Sequence, residues 1–336
     1  MRILDGIYQL KVPIPKDALV PDSDLGNTLV YLVKEEDGWT LIDGGWNSKV
    51  SWDALQSELG EAGVGIKDIS TLVVTHFHQD HMGLAKWIKE ASGAKVVMHT
   101  EDAPAGLQKR LGGVKGNPLE LTKKSMRKSG VPQADVDAFD FPPGGHRKLL
   151  PKVDVDHLLT GLEAAIPHSS RLKAMWTPGH TFGHVCVYDE KTKTLFSGDH
   201  VLPSITPNVS LFPMAEGNPL GDYLDSLGRL RNVDAKLVLP AHEGEFKDLK
   251  GRVDEIIQHH GGRLQEMMDA MKNGPRTAYQ IAEKVKWNVG PWEKLATRTK
   301  HMAMFETEAH LVLLVRQGKV KATDRDGVVY YELARN

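Results

Sequence analysis

Seven side chains of metal-ligating type occupy four short stretches of the chain. His76, His78, Asp80 and His81 lie in THFHQDHMG (75–83), His180 in TPGHTFGH (177–184), Asp199 in TLFSGD (194–199) and His242 in KLVLPAHE (236–243). His76 and His78 are two apart, so on extended backbone both point to one side. Asp80 and His81 begin the next turn and face a neighbouring position. Imidazole and carboxylate donors suit zinc, iron or manganese, and the absence of thiolates argues against a closed structural zinc site. Sorted by chemistry, His76, His78 and His180 hold a first ion and Asp80, His81 and His242 a second. Asp199 bridges them, because a carboxylate has two oxygens to share. Two divalent metal ions so placed lower the pKa of water towards about 7. The expected reaction is hydrolysis by metal-bound hydroxide, with Asp80 and Asp199 as its catalytic carboxylates.

Each of these groups follows an apolar strand-like run, where layered α/β sheets place their ligand sites. The runs are TLVVT (71–75), RLKAMWT (171–177), TLFSGD and KLVLPA (236–241). TLVYLV (28–33) and WTLID (39–43) flank a turn at Asp37-Gly38. WDALQSELGEAG (52–63) and HMGLAKWIKEA (81–91) have helical periodicity, and AKVVMH (94–99) returns to strand. The alternation predicts an α/β layered domain over 1–247. VYLVKEEDGWTLIDGG and VCVYDEKTKTLFSGDH share the pattern strand, charged turn, strand, aspartate, which suggests two similar halves facing each other. Residues 101–150 break the rhythm and read as a helical insertion near the site. From 248 to 336 the chain turns helical: 252–272 reads as one long helix interrupted at Gly261-Gly262, with His259 and His260 facing solvent. Two further helices (277–285, 306–318) and a terminal hairpin turning at Asp326-Gly327 complete a winged-helix-like module. That module carries 15 basic and 12 acidic residues, too weak an excess to favour nucleic-acid reading over an interaction or lid role.

Composition bounds the rest. In 336 residues, 42 basic and 44 acidic side chains leave a formal charge of −2, with no bias towards nucleic acid or membranes. The single cysteine, Cys186, forbids an intrachain disulfide. No apolar run reaches membrane-spanning length and no leader is evident, so the expectation is a soluble cytoplasmic protein acting on a small-molecule substrate. A homodimer is expected only because soluble enzymes commonly pair. Seven Lys/Arg against three Asp/Glu in 101–130 suggest that the substrate is anionic.

THFHQDHMG, TPGHTFGH, FSGDH and LPAHE resemble, in order and context, the motifs of the metallo-β-lactamase superfamily, over roughly residues 1–247. The likeness is greatest to its glyoxalase II-like and β-lactamase-like-hydrolase branches, some of which also end in a winged-helix-like domain. The resemblance implies a four-layer αββα sandwich with the metals at one edge of two sheets. It implies a dinuclear hydrolase, in whose fold the position of Asp80 is often given the role of accepting or relaying a proton, but it does not deliver the substrate, since the superfamily hydrolyses β-lactams, lactones, thioesters and phosphodiesters. The leading expectation is a zinc enzyme attacking an ester, thioester or lactone carbonyl. It also implies that Asp43, in LIDGG, orients a ligand histidine by accepting its second N–H, a role His184 could share. Alternatives are a phosphodiesterase or ribonuclease of the same fold, an iron-dependent sulfur dioxygenase, and a regulatory protein using its C-terminal module. His78 stands where flavodiiron enzymes have glutamate, and no β-CASP insertion is apparent between Asp199 and His242, so those branches lose weight. Lactonases of the fold often use a pocket tyrosine; none lies near these motifs, and Tyr223 is the nearest counterpart. The loop 200–213 is expected to wall the substrate pocket, with His200 and Ser204 lining it and Asn208 donating to a developing oxyanion. Trp46, Phe77, Phe182 and Phe212 are candidates for an apolar rim.

Overall fold

The computed structural model describes residues 1–15, 25–110, 117–140, 153–211 and 217–334. Seven strands form the first sheet: β1 (Arg2–Leu4), β2 (Ile7–Pro13), β3 (Asn27–Glu35), β4 (Gly38–Ile42), β5 (Ile69–Val73), β6 (Lys95–His99) and β7 (His157–Leu159), side by side in chain order. β1 to β4 pair antiparallel, and β4 to β7 pair parallel. The second sheet holds β8 (Glu163–Ala165), β9 (Leu172–Trp176), β10 (Val185–Asp189), β11 (Thr194–Gly198) and β12 (Leu237–Pro240), again in sequence order. Only its last pair, β11 with β12, is parallel.

The strands are apolar on both faces because both faces are covered. Along β3, Leu29, Tyr31 and Val33 point between the sheets, while Val30 and Leu32 point outward. The inner layer meets Val185, Val187, Phe196 and Leu239 of the second sheet. Outside the first sheet, Leu55 and Leu59 of helix α1 (Lys49–Glu61) and Ile88 of a helix at Ala85–Ser92 complete one core. Outside the second, Leu220, Tyr223 and Leu227 of a helix at Pro219–Leu230 and Val253 and Ile256 of the helix Leu249–Ala270 complete another. The order is helix, sheet, sheet, helix, the expected four-layer α/β sandwich. The two-halves pattern is also visible: hairpins β3–β4 and β10–β11 are each antiparallel, each gains a parallel neighbour, and each is followed by an aspartate, Asp43 or Asp199.

The C-terminal part contains helices at Leu249–Ala270, Ala278–Ala282 and Thr297–Arg316 and a small sheet that includes the strands Val320–Arg325 and Val328–Leu333. Its hairpin turns at Asp326 and Gly327, both with positive φ (53° and 84°), as the sequence signal requires. Two expectations for the long helix are corrected. Gly261 and Gly262 do not interrupt it, because packing on either side holds the helix through them. His260 is buried, with Nδ1 3.0 Å from His310 Nε2. The reason is helical spacing: Val253, Ile256, His260, Arg263 and Met267 form one inward stripe.

The described part of the 101–150 insertion is helical, at Pro104–Arg110, Pro118–Lys128 and Gln133–Ala138. It covers the C-terminal helices: Met126, Val131 and Val136 share a core with Met267, Met304 and Leu311. Among the described residues, no helix is long and apolar enough to cross a membrane.

Candidate metal centre

The parallel strands β4 and β5 of one sheet and β11 and β12 of the other run their carboxyl ends to a common edge, and β9 ends there too. The seven candidate ligands converge there as two groups. His76, His78 and His180 face Asp199 in the first; Asp80, His81 and His242 form the second. In the first, His78 Nδ1 lies 3.0 Å from His76 Nε2 and 3.1 Å from His180 Nε2. Asp199 Oδ2 is 3.8 Å from His76 Nε2 and 3.6 Å from His180 Nε2. In the second, His81 Nε2 is 3.4 Å from Asp80 Oδ2 and 3.4 Å from Asp199 Oδ1, and His242 Nε2 is 3.3 and 3.4 Å from the same oxygens. The two oxygens of Asp199 thus face different groups.

Hydrogen bonding does not account for this arrangement. His81 Nε2, His242 Nε2 and Asp199 Oδ1 are buried without a hydrogen-bond partner, which is costly for polar atoms. Four rings place the opposite nitrogen against an acceptor, which assigns the proton of the neutral ring there and leaves its Nε2 lone pair for a cation. His76 Nδ1 meets Thr75 Oγ1 at 3.0 Å, His81 Nδ1 meets Asp43 Oδ2 at 2.8 Å, His180 Nδ1 meets the Asn208 carbonyl at 2.8 Å and His242 Nδ1 meets the Asn27 carbonyl at 3.0 Å. Between His76, His78 and His180, one proton on His78 could serve only one neighbour at a time. A cation serves all three. Tetrahedral donors about 2.0–2.1 Å from zinc stand roughly 3.3–3.4 Å apart, close to the separations in both groups. The donor set fits a pair of divalent cations.

Electrostatics divides the groups. Burial, reinforced by the neighbouring histidines, holds His76 well below the ordinary imidazole range and His78 down at about 3. Burial also lowers His180, against the pull of Asp199. These three rings are neutral, as ligands must be. Burial works against protonation of His81 and His242 too, but Asp199 and Asp80 outweigh it, raising His81 well above its usual value and His242 to about 10. Burial likewise opposes ionisation of Asp80 and Asp199, and the same two histidines overcome it, so both carboxyls lie far below their usual range. The centre is a concentration of buried negative charge that attracts either protons or cations.

Asp43 holds both groups in place. Its oxygens accept from His81 Nδ1, from the Thr75 backbone N–H at 2.8 Å and from the Thr75 hydroxyl at 2.9 and 3.0 Å. The Thr75 oxygen in turn accepts from His76, so one carboxylate orients a histidine of each group. Asp43 adopts φ 63°, left-handed backbone that aspartate tolerates better than most residues. His184 stands behind Asp199: its Nε2 accepts from the Asp199 backbone N–H at 3.2 Å, and its Nδ1 lies 2.8 Å from Thr177 Oγ1.

A family model described as the metallo-beta-lactamase superfamily matches residues 23–242. The chain belongs to that superfamily. Its relatives include the "probable metallo-hydrolase YqjP" of Bacillus subtilis strain 168, 25% identical over 338 residues and aligned over 98% of both chains. A metallo-beta-lactamase family protein from Thermus thermophilus superposes with a TM-score of 0.78 at 28% identity, over 98% of this chain and 99% of the other. A beta-lactamase domain protein from Burkholderia ambifaria gives 0.80 at 26% identity, over 99% and 93%. These matches run beyond residue 242, so the C-terminal part is shared. The protein is a metallo-hydrolase of this superfamily, with a His/Asp cluster able to bind metal.

Other expected site residues of this metallo-hydrolase fall elsewhere. His200 is fully buried between the rings of His184 and Tyr223, so it lines no open pocket. Tyr223 is equally buried and donates to the His200 carbonyl at 2.7 Å, which removes it as a pocket tyrosine. Ser204 is exposed but tied to Glu243, which also accepts from its backbone N–H at 3.0 Å. Asn208 is not an oxyanion donor: its amide nitrogen donates to Glu306 at 2.9 Å, its amide oxygen accepts from Ser210 at 2.6 Å, and its carbonyl orients His180. Trp46 and Phe182 are half-buried, Phe77 belongs to the outer core of the first sheet, and Phe212 lies outside the described residues. Thr75, Asn27 and Thr177 were given no role by sequence reasoning. Only Thr75, next to the first histidine, carried a positional signal.

Proposed function

We propose that the protein is a dinuclear, zinc-preferring hydrolase that cleaves an ester, thioester or lactone carbonyl. The observation that carries this is the pair of facing donor groups, each converging its ring nitrogens on one position and each taking one oxygen of Asp199, with His81 Nε2, His242 Nε2 and Asp199 Oδ1 left without a hydrogen-bond partner. A divalent pair held there supplies a hydrolytic nucleophile from water at neutral pH and polarises the oxygen of the bond under attack. His76, His78 and His180 would hold one ion as neutral ligands, Asp80, His81 and His242 would hold the other, and Asp199 would offer one oxygen to each group. Asp80, the more exposed of the carboxylates, accepts and returns the proton at Oδ2. Asp43 and His184 keep the rings and the Asp199 backbone fixed, which avoids reorganisation during the reaction.

Among the described residues, the ion pairs of Asp80 and Asp199 are all with histidines. Those histidines hold the two carboxylates in place for the cations, which could polarise a carbonyl or clamp a phosphoryl group. Residues 1–247 are proposed as the catalytic unit, and 248–336 as a winged-helix-like module packed against it. A panel of thioesters, lactones, simple esters and phosphodiesters, tested with zinc-loaded protein, checks the substrate class. Carbonyl turnover that disappears in Asp80→Asn supports it. Turnover confined to phosphodiesters, or iron-dependent oxygen uptake, would replace it.

A further inference from the structure

Asp102 lies just past the end of β6, in no recognised motif, and is fully buried. Its Oδ2 accepts from the Phe77 backbone N–H at 3.3 Å and from the Thr181 hydroxyl at 2.5 Å, and its Oδ1 accepts from the Gly183 backbone N–H at 2.6 Å. Phe77 separates His76 from His78. Thr181 and Gly183 lie between His180 and His184. One carboxylate therefore ties the loop carrying two ligands of the first group to the loop from the other sheet carrying the third. The approach is close enough to explain a motif glycine: a Cβ on Gly183 would stand 2.4 Å from the Asp102 backbone nitrogen and 2.7 Å from its Cβ.

We propose that Asp102 is a positioning residue for the first metal group, setting the distance between His76/His78 and His180. It touches none of the ligand nitrogens. It acts through two peptide N–H groups, one on each side of the gap, and the Thr181 hydroxyl, the three donors its two oxygens satisfy on the ligand loops. Asparagine at this position keeps the volume but has one acceptor oxygen: with that oxygen in the Oδ2 position its NH2 opposes the Gly183 N–H, and turned the other way it opposes the Phe77 N–H, so either orientation sets a donor against a backbone donor of one loop. A group that only stabilised the fold would lower the melting temperature without changing how the folded protein binds metal. A group that sets ligand spacing changes the affinity of one site of two. The inference rests on the reading of the two groups as a dinuclear centre.

The experiment is a stepwise zinc titration of apo-protein against a chromophoric chelator, comparing wild type with Asp102→Asn. The absorption spectrum of the cobalt-substituted proteins is a second readout. Two ions in the wild type and a loss of about 10–100-fold at one site in Asp102→Asn, with altered cobalt bands, is the expected result. Two ions in both proteins with equal affinities and identical cobalt spectra overturns the role of Asp102 and leaves the metal centre standing. A wild type that binds fewer than two ions overturns the dinuclear reading and this inference with it. If Asp102→Asn does not fold, Thr181→Val decides, since it removes one bond and little volume. A several-fold weaker site sustains the proposal, and unchanged binding ends it.

Discussion

Replacing Asp43 by asparagine removes the charge that organises both ligand groups while leaving shape and backbone nearly intact. Asparagine tolerates the φ of 63° at this position, so the change does not act through backbone strain. Three donors converge on the carboxylate: the Thr75 N–H, the Thr75 hydroxyl and His81 Nδ1–H, at 2.8–3.0 Å. An amide offers one oxygen and turns its NH2 towards the rest. One donor is left unsatisfied in a site with no exposure to water, at a cost of about 1–3 kcal/mol. If His81 loses the bond, its ring is free to rotate or to carry its proton on the nitrogen that should ligate. Loss of such outer partners typically lowers metal affinity about 10–100-fold, or roughly 1.4–2.8 kcal/mol, in line with the hydrogen-bond figure. Chelator competition measures this directly, and circular dichroism verifies that the fold persists. Asp43→Asn protein with wild-type affinity at both sites would refute the claim that the aspartate orients His81 and, through Thr75, His76.

Other consequences are smaller in scale. Gly261 and Gly262 lie mid-helix, with nothing within 4 Å of an added Cβ. Alanine at each should therefore raise stability by about 0.5–1 kcal/mol; a lower urea midpoint would contradict this. Asn208→Ala should reduce stability by about 1 kcal/mol through the lost Glu306 and Ser210 bonds. Its kcat should not fall by the roughly 10²–10³ expected of an oxyanion donor, and such a fall would restore the catalytic role. Burial raises the Glu308 carboxyl from 4.5 to about 7, against the opposing hydrogen bond from Ser129. Between those values the folded state keeps a proton that the unfolded chain has released, so stability falls as pH rises, by up to roughly 3 kcal/mol. Glu308→Gln should gain on the wild type between pH 5 and pH 8, and equal urea-midpoint differences at both pH values would refute the assignment.

The seven candidate ligands were legible in the chain because they cluster at the ends of apolar strands, and strand ends are set by local alternation and turn chemistry. The same logic located β3–β4, β10–β11 and the terminal hairpin at Asp326-Gly327. Roles that depend on contacts between distant segments were not legible. Asp102 sits in a stretch whose spacing carries no signal, and its importance comes from two loops meeting across the sheets. Asn208 looked free to serve substrate because the helix carrying Glu306, 98 residues later, has no visible link to it in sequence. His260 reads as solvent-facing from its polar type alone, although the helical stripe through Val253, Ile256 and Met267 passes through it. Position outweighs residue type there.

The most direct test of the central claim is the metal content of the wild type beside Asp199→Asn, by elemental analysis after dialysis. Asp199 presents one oxygen to each donor group, so the wild type should retain close to two ions per chain, and the variant should lose metal and hydrolysis together. One ion per wild-type chain, or an Asp199→Asn protein that keeps two ions and full turnover, would contradict it.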